Sequence, residues 1–405
     1  MSIGFAETSL VGIELPYVPE HIPLVIDDCS LAFHLGYRTK TLWWVLTAKD
    51  DHYTVHRILK NKSKRGKRGK YAPKKEYRII HAPSTFMKPF LRRVHTRFLV
   101  PLQDQLGPHV TAYRKGLSTR HAVAQHIPVC AICDDAEKGK TPKKHDCPRS
   151  GAVIQMDLSD FFGSTRRAWI RNYLKAQGYS HYVAGLLASV LTVDDLPNQK
   201  PVAQRRKGEP NFFTGVPQGA PTSGAICNLV ADWKIDHKIL LYLADLDKEQ
   251  GLEGEWRWRY TRYSDDICLT CGKDFPREEK KKICDDVIEI IQREGYRINP
   301  RKTRIGHSFF RKSLLGMVFN QKPNMAKERY LALKAMVHNA LTQGIDTQYK
   351  RAGKVSAEAY ISYLEGNVNY ACQILEKSNP DRAAKLQIEL AVAVENHRVE
   401  TAAAV

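Results

Sequence analysis

The 405-residue chain has no run of apolar residues as long as a membrane span, so no transmembrane helix is expected. Its opening residues, Met1 to Pro16, carry no basic n-region and no continuous apolar core, so no secretory signal is expected either. The nine cysteines are odd in number and follow no regular framework. They point away from a disulfide scaffold and towards a reducing, cytoplasmic setting with free thiols or a metal site. No internal repeat is visible. Negative charge is scarce: 43 Asp and Glu stand against 63 Lys and Arg, a net charge of +20. A field of that sign attracts polyanions, nucleic acid above all. An anionic membrane surface would call for a long basic amphipathic helix, and none stands out. The rest, 43% hydrophobic and 26% charged, is an ordinary globular composition with enough chain for one large domain or two to three modules.

From Leu24 to about Lys60 the spacing predicts helix, with Leu31, Ala32, Leu35, Leu42, Val45 and Leu46 recurring at three and four residues and Gly36 splitting the stretch in two. A charge block follows between residues 60 and 75, with Lys64, Arg65, Lys67 and Arg68 at its centre. Such a block buries nothing; it is either a solvated loop or a contact to a phosphate backbone, and the second is the stronger reading here. Residues 76–83 alternate like a strand and stop at Pro83. A helix over 85–102 has Phe86, Phe90, Leu91, Val94 and Phe98 on one side and Lys88, Arg92, Arg93 and Arg97 on the other. Arg114 and Lys115 sit in a turn beside Gly116, and a short helix is expected over 119–126. Cys130, Cys133, His145 and Cys147 form two close pairs of soft ligands, a zinc-like arrangement. Four such ligands would pin an insertion rather than do chemistry; free thiols in a loop are the plain alternative.

The apolar run from Ala152 reads as a buried strand that ends by presenting Asp157, with Asp160 at the start of the next helix. Two helical stretches occupy about 165–193. The Gly- and Pro-rich segment 213–223, with Gln218 at its middle, enters a helix over 223–241. Two strand-like runs then flank Tyr263-Ser264-Asp265-Asp266. Adjacent carboxylates at a hairpin tip repel each other unless a cation lies between them, and Mg²⁺ takes hard oxygen ligands of this kind. Such a quartet standing alone is more often a solvated acidic turn. A helix over 278–294, an extended piece over 296–303 bearing Lys302, and a strand over 314–319 follow. From Lys327 onward the pattern is helical, with breaks near Gly344, Gly353 and Pro380.

Taken together these segments resemble the ordered motifs of a reverse transcriptase. Asp157-Leu-Ser-Asp-Phe-Phe resembles motif A, Gly215-Val-Pro-Gln-Gly-Ala-Pro-Thr-Ser motif B, Tyr263-Ser-Asp-Asp motif C, Asn299-Pro-Arg-Lys-Thr motif D and Leu315-Gly316 motif E. Arg78 with Pro83, and Arg114 to Ser118, resemble fingers motifs. Within the family the chain looks like the bacterial retron enzymes and their defence-associated relatives. Two departures lean towards the defence-associated, unclassified group. Retrons typically have Asn-Ala-x-x-His before motif A, where Ala122-Val-Ala-Gln-His126 keeps only the histidine, and Val-Thr-Gly later in the palm, where Leu314-Leu-Gly316 stands here. No endonuclease, maturase or effector module is apparent after the last helices.

The resemblance implies an α+β right-hand polymerase fold: a helical lead-in at 1–60, fingers at 61–150 with an insertion at 130–147, a palm at 151–320 with fingers-side helices over about 165–212, and a helical thumb at 321–405. It implies an RNA-directed DNA polymerase working on an associated non-coding RNA in antiphage defence. The alternatives are a retron making a branched RNA–DNA product, or a template-independent or protein-primed DNA polymerase. Two Mg²⁺ ions would be held by Asp157, Asp265 and Asp266, with the Leu158 carbonyl as a backbone ligand and Lys302 protonating the leaving group. Arg78, Arg114, Lys115 and Gln218 would bind the incoming dNTP, Phe162 would lie under its sugar, and Tyr263 would support the primer end. Expected partners are template RNA, primer or product DNA and dNTPs, with a partner protein or a second copy also in view and no membrane.

Overall fold

The computed structural model describes residues 23–48, 50–59, 77–128, 150–197, 212–306, 311–320, 322–376 and 378–403. Helices and antiparallel strands make an α+β architecture, as expected. Asp27 caps α1 (Asp28–Leu35), its Oδ1 accepting from Ser30 N–H at 2.7 Å. Gly36, at φ 68°, ends it in the left-handed conformation that glycine tolerates, and α2 (Thr39–Thr47) follows. The helical lead-in is shorter than its spacing predicts. Residues 53–59 are instead strand β1 (Tyr53–Leu59), paired antiparallel with β2 (Tyr77–Pro83) from Tyr53↔Pro83 to Leu59↔Tyr77. Next, α3 (Met87–Val94) runs through a π-turn at His95–Leu99 into α4 (Val100–Gln103). It buries Phe90, Leu91, Val94 and Phe98 and leaves Lys88, Arg92, Arg93 and Arg97 exposed.

Then come α5 (Thr119–Ala124), β3 (Ala152–Asp157), α6 (Phe161–Ser164), α7 (Arg167–Ala176) and α8 (His181–Val190), followed by the hairpin β4 (Val193–Pro197) and β5 (Phe212–Gly215). The helix α9 (Ser223–Ala231) passes through a second π-turn, Asp232–Asp236, into α10 (His237–Glu249). Strands β6 (Arg259–Tyr263) and β7 (Asp266–Cys271), helix α11 (Arg277–Arg293) and strand β8 (Arg304–Gly306) complete the central part. The single strand expected over 314–319 is two: β9 (Ser313–Leu314) and β10 (Met317–Val318), which also pairs with β11 (Asn324–Met325). Leu315 and Gly316, both at positive φ (51° and 81°), turn the chain back as in a tight hairpin. Four helices follow, α12 (Lys327–Gln343), α13 (Ile345–Arg351), α14 (Ala357–Leu375) and α15 (Pro380–Ala403), with breaks where the sequence places them.

The chain falls into two compact units that interleave in sequence. One takes the residues up to Arg114 with Leu158–Ile239 and Ile288–Ile298; the other takes Lys115–Asp157, Leu240–Val287 and the residues from Asn299 on. In the first, α1 and α2 pack on α8, and α1 also on α3, burying Leu31, Leu35, Leu42 and Val45. In the second, the core runs from β9–β11 into α12, α14 and α15 through Met317, Phe319, Leu333, Val337, Tyr360, Leu364 and Leu386. Burial of each such side chain contributes about 1.5–3 kcal/mol. No helix among the described residues is long and apolar enough to cross a membrane.

Candidate active site

The second unit contains a four-stranded sheet in the order β6-β7-β3-β8. Its register decides the site. Tyr263 pairs with Asp266, and Asp266 with Asp157, so these three residues form one cross-strand row. Directly opposite residues of an antiparallel pair project from the same face with Cβ atoms about 4.5–5.5 Å apart. The β6–β7 turn adds Asp265. Ser264 enters that turn at φ 60°, and its carbonyl accepts from Nη1 of the fully buried Arg262 at 3.3 Å. The backbone of Asp157 is held as well, its carbonyl accepting from Asn299 N–H at 2.8 Å.

Bringing these carboxylates together shifts their protonation. Burial, then the charges of Asp265 and Asp157, push the Asp266 carboxyl up to about 6, with Lys302 opposing. Burial is also the main cause that raises Asp265, with Asp157 adding to it. Lys302 Nζ donates to Asp157 Oδ2 at 2.5 Å. Burial works to lower the Lys302 pKa, but that hydrogen bond and the charges of Asp157, Asp265 and Asp266 outweigh it, and the ammonium is held above its usual range. The sheet face therefore gathers anionic oxygens and already places one cation among them. All four residues that the sequence nominates for chemistry meet here.

Further down the same face, Thr261 pairs with Cys268, and Arg259 with Thr270. His126, fully buried just after α5, hydrogen-bonds Thr270 Oγ1 at 2.9 Å and Thr261 Oγ1 at 2.6 Å, one ring nitrogen to each. Burial, with the charge of Arg259 behind it, pushes its pKa down to about 3. The one residue kept from the retron-like Asn-Ala-x-x-His pattern thus staples β6 to β7 beneath the carboxylates.

The residues expected to bind a nucleotide belong to the first unit, except Lys115, which belongs to the second and is exposed. Gln218 lies in the loop before α9. Its carbonyl accepts from His81 N–H of β2 at 2.8 Å. Gly219, at φ 126°, passes so close that a Cβ there would come within 2.8 Å of His81 O and 3.0 Å of Ile80 Cγ2. Arg78 is two residues from Ile80 and so on the same face of the β-ribbon, with an exposed side chain. Arg114 is placed differently from a free phosphate ligand: its Nη1 donates to the Gly107 and Val110 carbonyls at 2.8 and 2.9 Å and staples its own loop. Phe162 meets the Tyr113 ring edge-on, with centroids 6.2 Å apart. Leu158 is buried and bridges to Ile298.

Tyr113 carries no functional signal in the sequence. It stands at φ 56°, and its ring lies over Gly224, where a Cβ would come within 2.3 Å of Tyr113 Cγ. The small residue at Gly224 is the only trace of this in the sequence. Arg262 was missed too, because an arginine in a strand normally reads as exposed. Lys64, Arg65, Lys67 and Arg68, and the zinc-like Cys130, Cys133, His145 and Cys147, lie outside the described residues.

Comparison with known proteins agrees in kind. A family model described as reverse transcriptase (RNA-dependent DNA polymerase) matches residues 60–342. The retron Mx65 reverse transcriptase of Myxococcus xanthus is 26% identical over 316 residues, 76% of this chain and 60% of that protein, so the chain spans less than two thirds of this relative. The retron Ec86 reverse transcriptase of Escherichia coli is 27% identical over 315 residues, 78% of this chain and 77% of that one. Among solved structures, Candida albicans telomerase in complex with a telomeric RNA fragment aligns at TM-score 0.41 and 12% identity, covering 88% of this chain and 66% of its own.

Proposed function

The chain belongs to the reverse transcriptase family, and from that premise we propose that it copies RNA into DNA by metal-assisted nucleotidyl transfer at Asp157, Asp265 and Asp266. The observation that carries this is the register Asp157↔Asp266 across β3 and β7, which lines carboxylates up beside the turn bearing Asp265. The donor set fits Mg²⁺: hard carboxylate oxygens, partly buried, whose burial and then mutual repulsion raise Asp265 and Asp266. Two Mg²⁺ ions held by these residues and the Leu158 carbonyl would supply activation of the primer hydroxyl and charge stabilisation at the leaving pyrophosphate. Lys302 keeps a proton on Nζ and is assigned as its donor to the leaving group. Tyr263, in the same row as Asp266, supports the primer end. Arg78 grips triphosphate oxygens with its planar fork, Gln218 lines the nucleotide pocket, Phe162 excludes a ribose 2′-hydroxyl, and Arg114 and Lys115 add positive charge.

The template is proposed to be an associated non-coding RNA, with a role in antiphage defence. Both departures from the retron pattern are present in the chain, and the named relatives are retron reverse transcriptases, which supports a retron-type enzyme; a branched RNA–DNA product is the alternative to other defence-type products. Fingers, palm and thumb are assigned to 61–150, 151–320 and 321–405 after the lead-in.

The test is incorporation of labelled dNTP on a primed RNA template. Asp157→Ala, Asp265→Ala and Asp266→Asn should each lose activity by at least two orders of magnitude. Asp266→Asn relieves repulsion among buried carboxylates, so its melting temperature without metal should hold or rise. Incorporation that persists in these variants would remove the assigned site. Sequencing the products with and without the co-purified RNA separates templated from template-independent synthesis.

A further inference from the structure

Tyr113 is held more firmly than its burial requires. It is 50% exposed, and its φ of 56° lies in the left-handed region, which a bulky residue seldom adopts. The backbone around it is nonetheless fixed. Asn228, fully buried in α9, donates from Nδ2 to the Ala112 carbonyl at 2.6 Å, and the buried Gln103 donates from Nε2 to the Tyr113 carbonyl at 3.2 Å. Arg114, next in the chain, staples the loop to the Gly107 and Val110 carbonyls. The ring itself lies against α9 at Gly224, where a Cβ would come within 2.3 Å of its Cγ and within 2.6 and 2.7 Å of Cδ2 and Cδ1. Any larger residue at 224 would push the ring away. A strained conformation persists only where the surroundings over-determine it, and such residues gather at functional sites. Here the strain delivers one contact that the core does not need, the edge of Phe162.

Phe162, in the short helix α6, is half-buried and meets two rings edge-on. Phe161 stands 5.6 Å away between centroids at 67°, and Tyr113 stands 6.2 Å away at 65°. Both lie in the range where edge-to-face aromatic pairs attract. Phe161 is itself core, 3% exposed and packed against Tyr296 with centroids 6.1 Å apart. Tyr113 is the support that comes from outside the core, and all these residues belong to the first unit. A ring that rejects a hydroxyl by bulk works only while it cannot swing to another staggered rotamer. We propose that Tyr113 is a positioning residue for sugar selection: its ring braces Phe162 and so sets how strongly the site rejects a ribose 2′-hydroxyl. This rests on the reading that Phe162 lies under the sugar of the incoming nucleotide. Tyr113 acts through Phe162 and needs no contact of its own with the nucleotide.

The test uses the full chain on a primed RNA template. The kcat/KM is measured for each dNTP and for the matching rNTP, with a melting temperature for every variant. Tyr113→Ala should raise use of rNTPs relative to dNTPs by about 2–12-fold, the factor that one aromatic pair is worth. Tyr113→Gly suits the positive φ and guards against misfolding of the alanine variant, and it should shift the ratio in the same way. Tyr113→Phe keeps the ring and should hold the ratio within about twofold of the parent. In a Phe162→Ala background, Tyr113→Ala should change the ratio by less than about twofold, because the ring through which it acts is already gone. A ratio unchanged in Tyr113→Ala and Tyr113→Gly, while Phe162→Ala relaxes it, would overturn the proposal. So would kcat/KM falling equally for dNTP and rNTP, the mark of a merely structural role. Independent, multiplying effects in the double variant would overturn it too, since Tyr113 would then meet the nucleotide directly. A ratio unchanged in Phe162→Ala would remove Phe162 from beneath the sugar and this proposal with it, so the two failures are told apart.

Discussion

At the scale of single residues, His126 offers a measurement that needs no assumption about activity. The imidazole is buried between two threonine hydroxyls, and its pKa is pushed down to about 3 against about 6.5 in an unfolded chain. Between those values the unfolded state binds a proton that the folded state refuses, so stability rises with pH. The contribution is complete above about pH 6.5 and is lost as pH falls towards 3, at up to about 1.4 kcal/mol per pH unit. His126→Gln should lower the melting temperature at pH 7.5 and flatten its fall between pH 6.5 and 4.5, by comparison with the parent chain. Parallel curves for the two proteins would mean that the histidine is not held neutral. Phe162 belongs to the same scale. With its ring wedged beside Tyr113, Phe162→Ala should raise use of rNTPs relative to dNTPs by roughly 10–200-fold, read from paired kcat/KM values. Both residues were nominated or quoted from sequence for their position alone. What the sequence withheld was the neighbour that gives each its role, Thr261 and Thr270 for one and Tyr113 for the other, because those contacts join segments more than a hundred residues apart or depend on a positive φ.

At the scale of elements, legibility followed burial. The strand ending at Asp157 is buried along nearly its whole length and the helices after Lys327 on a helical period, and both stand where the sequence puts them. β1 was missed because all but its first residue are exposed, so no alternation of burial could be written into it. The hairpin at 313–318 was missed because its turn begins with Leu315, a residue type that seldom takes positive φ. Its carbonyl accepts from the Tyr370 hydroxyl of α14 at 3.3 Å, a tertiary support that no local pattern announces. The tie between β2 and the Gln218 loop is of the same kind, and it can be cut at one atom. Gly219→Ala would place a side chain at φ 126° and a methyl within 2.8 Å of His81 O. The strained backbone should cost about 1–3 kcal/mol. The expected outcome is a lower melting temperature and a raised KM for dNTP with kcat less affected, since Arg78 and Gln218 would lose their common anchor. A kcat loss with KM intact would place this loop's role elsewhere.

At the scale of the whole molecule, charge is the property that the sequence states most openly and that no single contact exhausts. Phosphate contacts by Lys and Arg release condensed counterions, so the logarithm of affinity falls linearly with the logarithm of salt, with a slope near −0.7 per phosphate neutralised on single strands and −0.9 on duplex. A chain of net charge +20 that grips a primed template should show a steep slope. Lys64, Arg65, Lys67 and Arg68 are the densest local source of that charge in sequence. Replacing all four with alanine removes at most four such contacts, so the slope should become shallower by about 1–3. Affinity should fall by a similar factor for unrelated RNA sequences, because backbone phosphates carry no base identity. Incorporation at saturating template should keep its kcat, since Asp157 and Asp266 stand in the sheet and Asp265 in its β6–β7 turn, all outside this block. An unchanged slope would show that this block faces solvent and that the phosphate contacts come from other cations, with the exposed row Lys88, Arg92 and Arg97 of the α3 stretch the next to be replaced.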